Sequence, residues 1–359
     1  MFLRNELRGT EPYNLEIEQN MNPEVDIALV GATGLVGEAL LEAISSHPML
    51  AGSVQVLGDE EAAGDTVEFG KRALTIADLS LFDFTQVRIV ISTGEDSSAG
   101  DWLDLAQDAG CIILDIGARL LEATDLPPVV GWVNPESMEV VSKGGIITLP
   151  DAGTSQLVRI LKPVLDRVGL EQVSVVSYQA VSDFGHAGVE EMARQTAQLL
   201  NAKPITPVLF PQQIAFNLLS IVDEVNEDGS TLGETKAEQD ALNVLGCDDL
   251  SLTVTTAIAP VFYGHSQVVQ FQTSRPLTLK NLQSLLAETE GVTLVDSEND
   301  ACVSPVSHAS GKEEITVGRI RSVGKNATQF SLFTVADNLR SGIAANVVKI
   351  VEVLVKDYL

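Results

Sequence analysis

The chain has 359 residues, which suggests two domains or one large one, and its 45 % hydrophobic residues are enough for apolar cores. Its 22 basic and 50 acidic residues give a formal net charge of -28 at pH 7, which argues against nucleic acids and anionic membranes as partners, since both require basic patches. The three cysteines show no paired spacing, which argues against a disulfide or zinc framework and favours a cytoplasmic location, and no apolar run of about 18 residues predicts a membrane span.

The first half of the chain alternates between strand and helix patterns. Residues 1–21 are polar and of mixed charge, and we expect a flexible extension there. Strand-helix alternation predicts βαβ units and a parallel sheet, and we assign residues 22–150 to this α/β domain. The predicted strands are residues 25–30, 54–57, 87–92, 111–115 and 146–149.

The pattern changes near residue 172. Stretches rich in β-branched residues, such as "VSVVSYQAV" and "SQVVQFQT", alternate with helical patterns at residues 188–200 and 231–245. This favours an α+β domain with an antiparallel or mixed sheet over residues 151–336. Residues 337–359 predict a helix, apolar on one face, that returns to the first domain.

A glycine-rich turn follows the first strand. "GATGLVG" places Gly31, Gly34 and Gly37 between a strand and a helix, where glycines permit a tight turn and the close approach of a pyrophosphate. The spacing differs from G-x-G-x-x-G, so a structural turn without a ligand stays an alternative.

The second predicted strand is followed by three acidic residues, Asp59, Glu60 and Glu61. Acids there accept from a ribose 2′-OH and repel a 2′-phosphate, which favours NAD over NADP if either binds. A solvated acidic loop is the alternative.

A second turn, in "ITLPDAGTSQLVRILKPVL", leads from a strand into a helix that we expect to begin near Ser155. Many α/β enzymes hold a nucleophile in such a turn, because the helix N-terminus stabilises an anion. Ala152 at its tip has no nucleophilic atom. The residues alone leave open whether this turn is structural or has lost its chemistry.

Several stretches together resemble the aspartate-semialdehyde dehydrogenase family. They include "GATGLVG", "VSYQAVSDFGHAGVEEM", "APVFYGHSQVV" and "DNLRSGIAANVVKIVEVL", in the order and spacing of that family. The resemblance implies a Rossmann-like domain and an α+β dimerisation and catalytic-type domain. It also implies a homodimer in amino-acid biosynthesis that reduces β-aspartyl phosphate with NADPH through a cysteine thioester.

The family's nucleophile position falls on Ala152 in this frame. Its asparagine neighbour falls on Asp151, whose charge would repel a thiolate and an anionic substrate. Alanine cannot form a thioester, because covalent catalysis needs an activated thiolate. Ser155, three residues further on, is a poor substitute. The chain therefore resembles the usg-type paralogues of the family, which lack this cysteine.

The family's other catalytic and substrate positions are only partly retained. Its general base falls on His265, although a histidine kept for packing is an alternative. Its two arginines fall on Ile258 and Leu121, with Arg119 as a possible replacement for the second.

A family glutamate that meets the substrate amine falls on Asp240. Lys236 is retained, either as an anion site or as a solvated charge.

The family's cofactor positions are also mixed. The glycine turn is intact, while the residues that bind a 2′-phosphate in many members fall on Asp59 and Glu61, and Glu95 and Asp96 follow the third strand. Asn338 and Arg340 match positions near the cofactor, or else cap the last helix. The expected cofactor residues are Gly31, Thr33, Gly34, Leu35, Val36, Gly37, Asp59 and Asn338.

Three functions fit the sequence. We favour a non-catalytic or altered-function paralogue, a pseudoenzyme with an unknown small-molecule ligand that binds NAD, NADP or neither. The second is an active NAD(P)-dependent oxidoreductase that acts on an aldehyde or acyl substrate with His265 and without a covalent step. The third, hydrolysis by His265 and water, has no supporting set of residues.

Overall fold

The structure is a computed structural model that describes residues 26–47, 50, 53–94, 101–117, 120, 127–141, 144–220, 223–295, 302–324 and 327–359. The predicted extension over residues 1–21 lies outside the described residues. Within the described ranges, no helix is both long enough and apolar enough to cross a membrane.

The first of two sheets has seven strands in the described chain. They are β1 Ile27–Val30, β2 Val54–Gly58, β3 Thr66–Phe69, β4 Arg72–Asp78, β5 Ile89–Ser92, β6 Ile112–Ile116 and β7 Gly145–Leu149. The order is β3-β4-β2-β1-β5-β6-β7, and all pairs are parallel except β3 with β4. This arrangement confirms the predicted Rossmann-like α/β fold.

The strands β3 and β4 are not predicted by the pattern analysis. They form an edge hairpin in which Phe69 and Ile76 are buried and most other residues are partly or fully exposed. Gly70 lies in the turn between them at φ 59°. Because an edge hairpin buries so few side chains, its hydrophobic alternation is weak.

Helices cover both sheets. Those described are α1 Leu35–Ser46, α2 Asp101–Asp108, α3 Ala152–Val168, α4 Gly185–Leu200, α5 Leu232–Leu245, α6 Leu279–Ala287, α7 Pro305–His308 and α8 Ala345–Asp357. On one face of the first sheet, α1 and α8 share a core that includes Leu40 and Ile350. On the other face, Trp102 of α2 is buried. The C-terminal helix thus packs on the first sheet.

The second sheet is mixed. Its strands are β8 Leu170–Gln179, β9 Ser251–Ile258, β10 His265–Thr273, β11 Val292–Leu294, β12 Ile315–Ser322 and β13 Gln329–Ala336, in the order β11-β12-β13-β10-β8-β9. Among these described strands, β8–β9 and β11–β12 pair in parallel and the other neighbours are antiparallel. This confirms the predicted α+β class.

The helix α3 joins the two halves of the fold. It leaves the carboxyl end of β7, and its residues Leu157 and Leu161 enter a core with Val173 and Val269 of the second sheet. Its N-terminus therefore lies where the carboxyl edge of the first sheet meets the second sheet.

Candidate functional site

A cleft of about 810 Å³ lies at this junction. Its walls come from the carboxyl ends of the first sheet, the start of α3, one face of the second sheet and the starts of α4 and α5. The residues that line it include Gly34, Asp151, Gly153, Ser177, Asp183, Asp223, Lys236 and Gln267. Open α/β sheets bind ligands at this edge, beside the point where the strand order reverses, which here lies between β1 and β5.

Local hydrogen bonds fix the glycine turn at that point. Gly31 has φ 83°, which favours glycine, and its N–H donates to Leu57 O at 3.3 Å. Thr93 Oγ1 donates to Gly31 O at 3.1 Å from the end of β5. A Cβ on Gly37 would lie 2.5 Å from Ala32 Cα, so only glycine lets α1 approach the turn this closely.

The start of α1 faces the cleft. Gly34 is its N-cap residue and lines the cleft, and a glycine offers no side chain to cap the first amides of the helix. Two further glycines at strand ends, Gly94 and Gly117, line the same wall. Backbone amides at a helix N-terminus bind phosphate, so these residues fit the pyrophosphate of a dinucleotide.

The remaining predicted cofactor residues of the first domain surround this turn. Thr33 is exposed, Val36 is half-buried and Leu35 is buried in the core. Asp59 Oδ1 accepts from Ala62 N at 2.9 Å, so this carboxylate stabilises the loop after β2. The Asp59 side chain is also exposed to solvent. Glu95 and Asp96 lie outside the described residues.

The helix α3 begins at Ala152, so the predicted start near Ser155 is wrong. Asp151 is the N-cap residue: its Oδ1 accepts from Thr154 N at 3.0 Å and its Oδ2 accepts from Thr154 Oγ1 at 2.5 Å. A side-chain cap of this kind starts a helix where apolar periodicity alone gives no signal. Ser155 is buried in the first turn and does not take part in the cleft lining described.

Ala152 is packed against the turn that precedes α8. It is 3 % exposed, and a Cβ built on Gly342 would lie 2.6 Å from Ala152 Cβ. The methyl group therefore fills the space beside the Gly342 backbone. Arg159, about two helical turns further along α3, contacts the same segment by donating to Ser341 O at 3.4 Å.

Arg159 also connects the two domains. Its guanidinium lies 3.8 Å from the centre of the Trp132 ring, and Trp132 Nε1 donates to Glu290 Oε1 at 2.9 Å. Burial lowers the pKa of Arg159 to about 10, against the opposing effect of the Glu290 charge. The arginine therefore stays charged at neutral pH and acts as a structural link.

All three cysteines lie in described parts of the chain, and none of them lines the cleft as described. Cys111 is buried beneath the first sheet, 3.4 Å from both Phe84 O and Val87 O, and burial raises the pKa of its thiol despite the charge of Arg88. Cys247 follows α5, and Cys302 is exposed before α7.

His265 is 1 % exposed at the start of β10. Its Nδ1 accepts from Ala180 N at 3.1 Å, so the proton of the neutral ring is on Nε2, which lies 3.4 Å from Asp183 Oδ1. Asp183 lines the cleft, and the described lining does not include His265 itself. The histidine can therefore act on a ligand only by way of Asp183 or after a local movement.

Lys236 and Asp240 lie one turn apart on α5 and pair with each other. Lys236 lines the cleft, and its Nζ donates to Asp240 Oδ2 at 2.5 Å. Burial raises the pKa of Asp240, Lys236 opposes this rise, and the charge of Asp151 adds to it. One N–H of the Lys236 ammonium is thus directed to Asp240, while the side chain stays 46 % exposed.

Two family models match the chain, "Semialdehyde dehydrogenase, NAD binding domain" at residues 26–141 and "Semialdehyde dehydrogenase, dimerisation domain" at residues 161–341. Aspartate-semialdehyde dehydrogenase 2 of Vibrio cholerae is 33 % identical over 338 residues, which cover 94 % of this chain and 100 % of that protein. The chain belongs to the aspartate-semialdehyde dehydrogenase family.

Relatives that carry two different names are similar to the chain to the same degree. The USG-1 protein homolog of Azotobacter vinelandii is 34 % identical over 336 residues, covering 94 % of this chain and 99 % of that protein. The crystal structure of aspartate semialdehyde dehydrogenase II from Vibrio cholerae, complexed with ASA, has a TM-score of 0.88 at 34 % identity, covering 94 % of this chain and 99 % of that chain.

The positions that the resemblance assigned are only partly brought together. Lys236, Asp240 and Asp151 lie near one another, while Asn338 is buried: its Oδ1 accepts from Ser182 Oγ at 3.0 Å and from Gly264 N at 3.1 Å. Its cofactor role stays a prediction. Arg119 and Leu121 lie outside the described residues.

Ile258 stands where the resemblance places a substrate arginine. It is fully buried in an apolar cluster with residues that include Met192 and Phe210. Arg340, near Asn338 in sequence, pairs with Glu42 of α1.

A polar row on the second sheet was not recognised in the sequence. Thr256 of β9, Ser177 of β8 and Gln267 of β10 are neighbours in register across three strands. Strand alternation alone places Ser177 on the same face as Val173 and Val175, and this polar residue on an apolar face was the sequence signal that could have been used. The register that aligns the three residues comes only from the fold.

Proposed function

We propose that this member of the family does not form the cysteine thioester and uses its cleft to bind a ligand. The observation that carries the proposal is at the start of α3. Ala152 points its methyl group at Gly342, and no cysteine lines the described cleft. Loss of a nucleophile costs on the order of 10⁴ to 10⁶ in kcat, and the residues nearby offer no replacement thiol.

The charges around the cleft support the same proposal. Asp151 occupies the N-cap of α3 and places a carboxylate where an acyl phosphate would meet repulsion. The buried apolar setting of Ile258 leaves no guanidinium at that position to hold a substrate carboxylate. Lys236 is the cleft-lining lysine in the described chain, and it is paired with Asp240.

The first domain keeps the residues that suit a nicotinamide dinucleotide. Gly34 and the amides at the start of α1 would bind the pyrophosphate. Asp59 directly follows β2, where its carboxylate would accept a hydrogen bond from a ribose hydroxyl. We infer that NADH is preferred to NADPH because the acids Asp59 to Glu61 repel a 2′-phosphate. A bound nicotinamide would supply hydride transfer.

A second candidate function is non-covalent reduction of an aldehyde. The cleft connects the glycine turn to Asp183, whose carboxylate is 3.4 Å from His265 Nε2. This pair could deliver a proton to a carbonyl oxygen if a nicotinamide supplied the hydride. Replacement of His265 by Gln would then abolish aldehyde reduction.

We also infer a cytoplasmic homodimer from the matched dimerisation domain and from the cysteine spacing in the sequence, which shows no paired pattern.

The test is arsenate-dependent oxidation of aspartate semialdehyde by the purified protein, with NAD⁺ and with NADP⁺. We expect no turnover, and we expect fluorescence titration to show binding of NADH in preference to NADPH. The control is Gly34→Asp, because aspartate is a good N-cap and its charge repels a pyrophosphate. Turnover in the wild type that is absent from this variant would overturn the proposal, whereas equal turnover in both preparations would identify a contaminating enzyme.

A further inference from the structure

One side-chain contact joins the first turns of α1 and α4 across the cleft. His186 lies in the first turn of α4, and its Nε2 is 3.3 Å from Oε1 of Glu38 in the first turn of α1. The helix α1 covers the first sheet, whereas α4 follows β8 of the second sheet. Side chains on a helix tilt toward its N-terminus, so the Glu38 carboxylate lies beside the glycine turn that precedes α1.

The backbone that carries His186 is held in place, while the two side chains are open to solvent. Val189, one turn further along α4, packs against the core that α1 shares and against an apolar cluster of the second domain. A Cβ on Gly188 would lie 2.3 Å from Val181 O, so α4 lies close against the turn before it. The side chains of His186 and Glu38 are 49 % and 58 % exposed. An exposed ion pair contributes little to stability, so His186 can take a second partner at little cost.

The described lining of the cleft is acidic, with two basic side chains. Its carboxylates come from Asp151, Asp183 and Asp223. Its basic groups are the Lys236 ammonium, which donates to Asp240 on its own helix, and the His186 imidazole. His186 is therefore the basic group that lies across from the start of α1.

A protonated His186 depends on an anionic partner. The N-terminus of a helix carries a partial positive charge, which disfavours a cation in the first turn of α4, and the N-cap residue Phe184 supplies no side-chain cap. The charged groups near the ring on the neighbouring elements are Glu38 of α1, Asp183 in the turn before α4 and Glu190 one turn along α4. Of these, Glu38 is the group within ion-pair distance of His186 in the described chain.

The pyrophosphate of a dinucleotide would be a second anion at the same place. In the proposed function it binds the amides at the start of α1, beside Gly34, and Gly34 lines the cleft together with His186. The Glu38 carboxylate in this first turn would repel it, because both groups are anions. An imidazolium between the two anions removes this repulsion and donates a charge-assisted hydrogen bond, which a neutral ring does not supply.

We propose that His186 binds the pyrophosphate of the dinucleotide from the second domain, as an imidazolium placed between Glu38 and the phosphate oxygens. The inference rests on the proposed function, because it requires a dinucleotide at the glycine turn. It adds a residue of the second domain to that site and makes the affinity depend on pH. Histidine changes its charge between about pH 5 and 8, so the affinity should rise as the pH falls through this range.

The experiment is a calorimetric titration with ADP-ribose at about pH 6 and about pH 8. This probe contains the pyrophosphate, which stays ionised throughout this range, and it lacks the nicotinamide, so reduction chemistry does not enter the measurement. The wild type should bind ADP-ribose about fivefold more tightly at the lower pH, as expected for one exposed ion pair. Equal affinity at the two pH values, or tighter binding at the higher one, would overturn the inference.

Two substitutions of the ring separate its charge from its shape. His186→Gln should bind ADP-ribose at both pH values with the weak affinity that the wild type has at the higher pH. His186→Lys keeps a cation at both pH values and should bind with the tight affinity at both, a rescue that a merely structural role of the imidazole does not predict. Glutamine and lysine are both good helix formers, so α4 should tolerate either one.

Glu38→Gln tests the other side of the contact and serves as the second route if a variant at position 186 fails to fold. It removes the repulsion of the pyrophosphate and should therefore tighten binding at the higher pH and reduce the pH dependence. An unchanged affinity in this variant would refute the placement of His186 between two anions.

His308→Gln is the matched control, because His308 lies in α7 and the described lining of the cleft does not include it. Its ratio of affinities at the two pH values should equal that of the wild type. A ratio that persists in His186→Gln, or that His308→Gln abolishes equally, would show a general effect of the acidic surface and would refute the role of His186. Absence of ADP-ribose binding at both pH values would reject the proposed dinucleotide site as well, whereas binding without dependence on pH would reject this inference alone.

Discussion

Replacement of Glu191 by Ala should destabilise the second domain and loosen one wall of the cleft. Glu191 is 4 % exposed on α4 and accepts from Val208 N at 2.9 Å, Leu209 N at 2.6 Å and Gln195 Nε2 at 2.7 Å. Gln195 in turn accepts from Ile214 N at 2.9 Å. One carboxylate thus anchors the segment that follows α4, and Leu209 of this segment lines the cleft.

These hydrogen bonds set the expected loss in the free energy of unfolding. Each backbone hydrogen bond to a charged acceptor contributes about 1.5–3 kcal/mol. Because Val208 and Leu209 are exposed residues, water can reach their freed amides, which reduces the total to about 2–4 kcal/mol. That is a large fraction of a free energy of unfolding of about 5–15 kcal/mol. Glu191→Gln keeps one acceptor oxygen and should lose about half as much.

The effect should depend on pH. Burial raises the pKa of Glu191, but the bonds from Leu209, Val208 and Gln195, with the charge of Arg194, outweigh burial and hold the pKa below its usual value of 4.5. A carboxyl with a lowered folded pKa stabilises above its unfolded pKa and loses that contribution as the pH falls through the folded value. The difference between wild type and Glu191→Gln should therefore be full at pH 7 and shrink below about pH 4.5.

Urea unfolding at one fixed protein concentration measures these differences, since a dimer's stability depends on concentration. Limited proteolysis near residues 203–215 reports the loosened segment. The exposed neighbour Glu190 provides the matched control, and Glu190→Ala should change stability by less than about 0.5 kcal/mol. If the variants at positions 190 and 191 unfolded at the same urea concentration, the anchoring role would be refuted.

Three other variants test the cleft. Gly342→Ala should cost about 1–3 kcal/mol in thermal unfolding, because its methyl group would overlap Ala152; unchanged stability would refute that contact. Asp59→Ser should raise the affinity for NADPH relative to NADH about fivefold in fluorescence titration, as expected for a repulsion of about 1 kcal/mol, while the exposed Asp65→Ser should not; an unchanged ratio would count against the acidic specificity loop. Ala152→Cys should give no semialdehyde turnover, because Ile258 still stands where the resemblance places a substrate arginine. Restored turnover would show that the chain still binds the substrate without that arginine.

Much of the fold could be predicted from the sequence because buried parallel strands are continuous apolar runs. Residues 27–30 and 112–116 stand out for this reason, and the glycine turn after the first of them marks the start of a helix. The hairpin of β3 and β4 could not be predicted, since only Phe69 and Ile76 are buried there. The start of α3 was misplaced because Asp151 caps the helix before its apolar periodicity begins.

The site was less predictable because it depends on register. Ser177 and Gln267 lie 90 positions apart in the chain, and only the antiparallel pairing of β8 with β10 makes them neighbours. The bond from Ala180 N that fixes the tautomer of His265 likewise spans distant segments. In contrast, the pairing of Lys236 with Asp240 could have been predicted from their spacing of four on a helix.

The most direct measurement is intact-protein mass spectrometry after the purified protein is mixed with aspartate semialdehyde and NAD⁺ or NADP⁺, without arsenate or phosphate. In a thioester-forming enzyme, hydride leaves the substrate and the acyl group remains on a cysteine under these conditions. For this protein we predict an unchanged mass and no nicotinamide reduction. An acyl adduct that maps to Cys111, Cys247 or Cys302, formed together with reduced nicotinamide, would contradict the proposed loss of covalent chemistry.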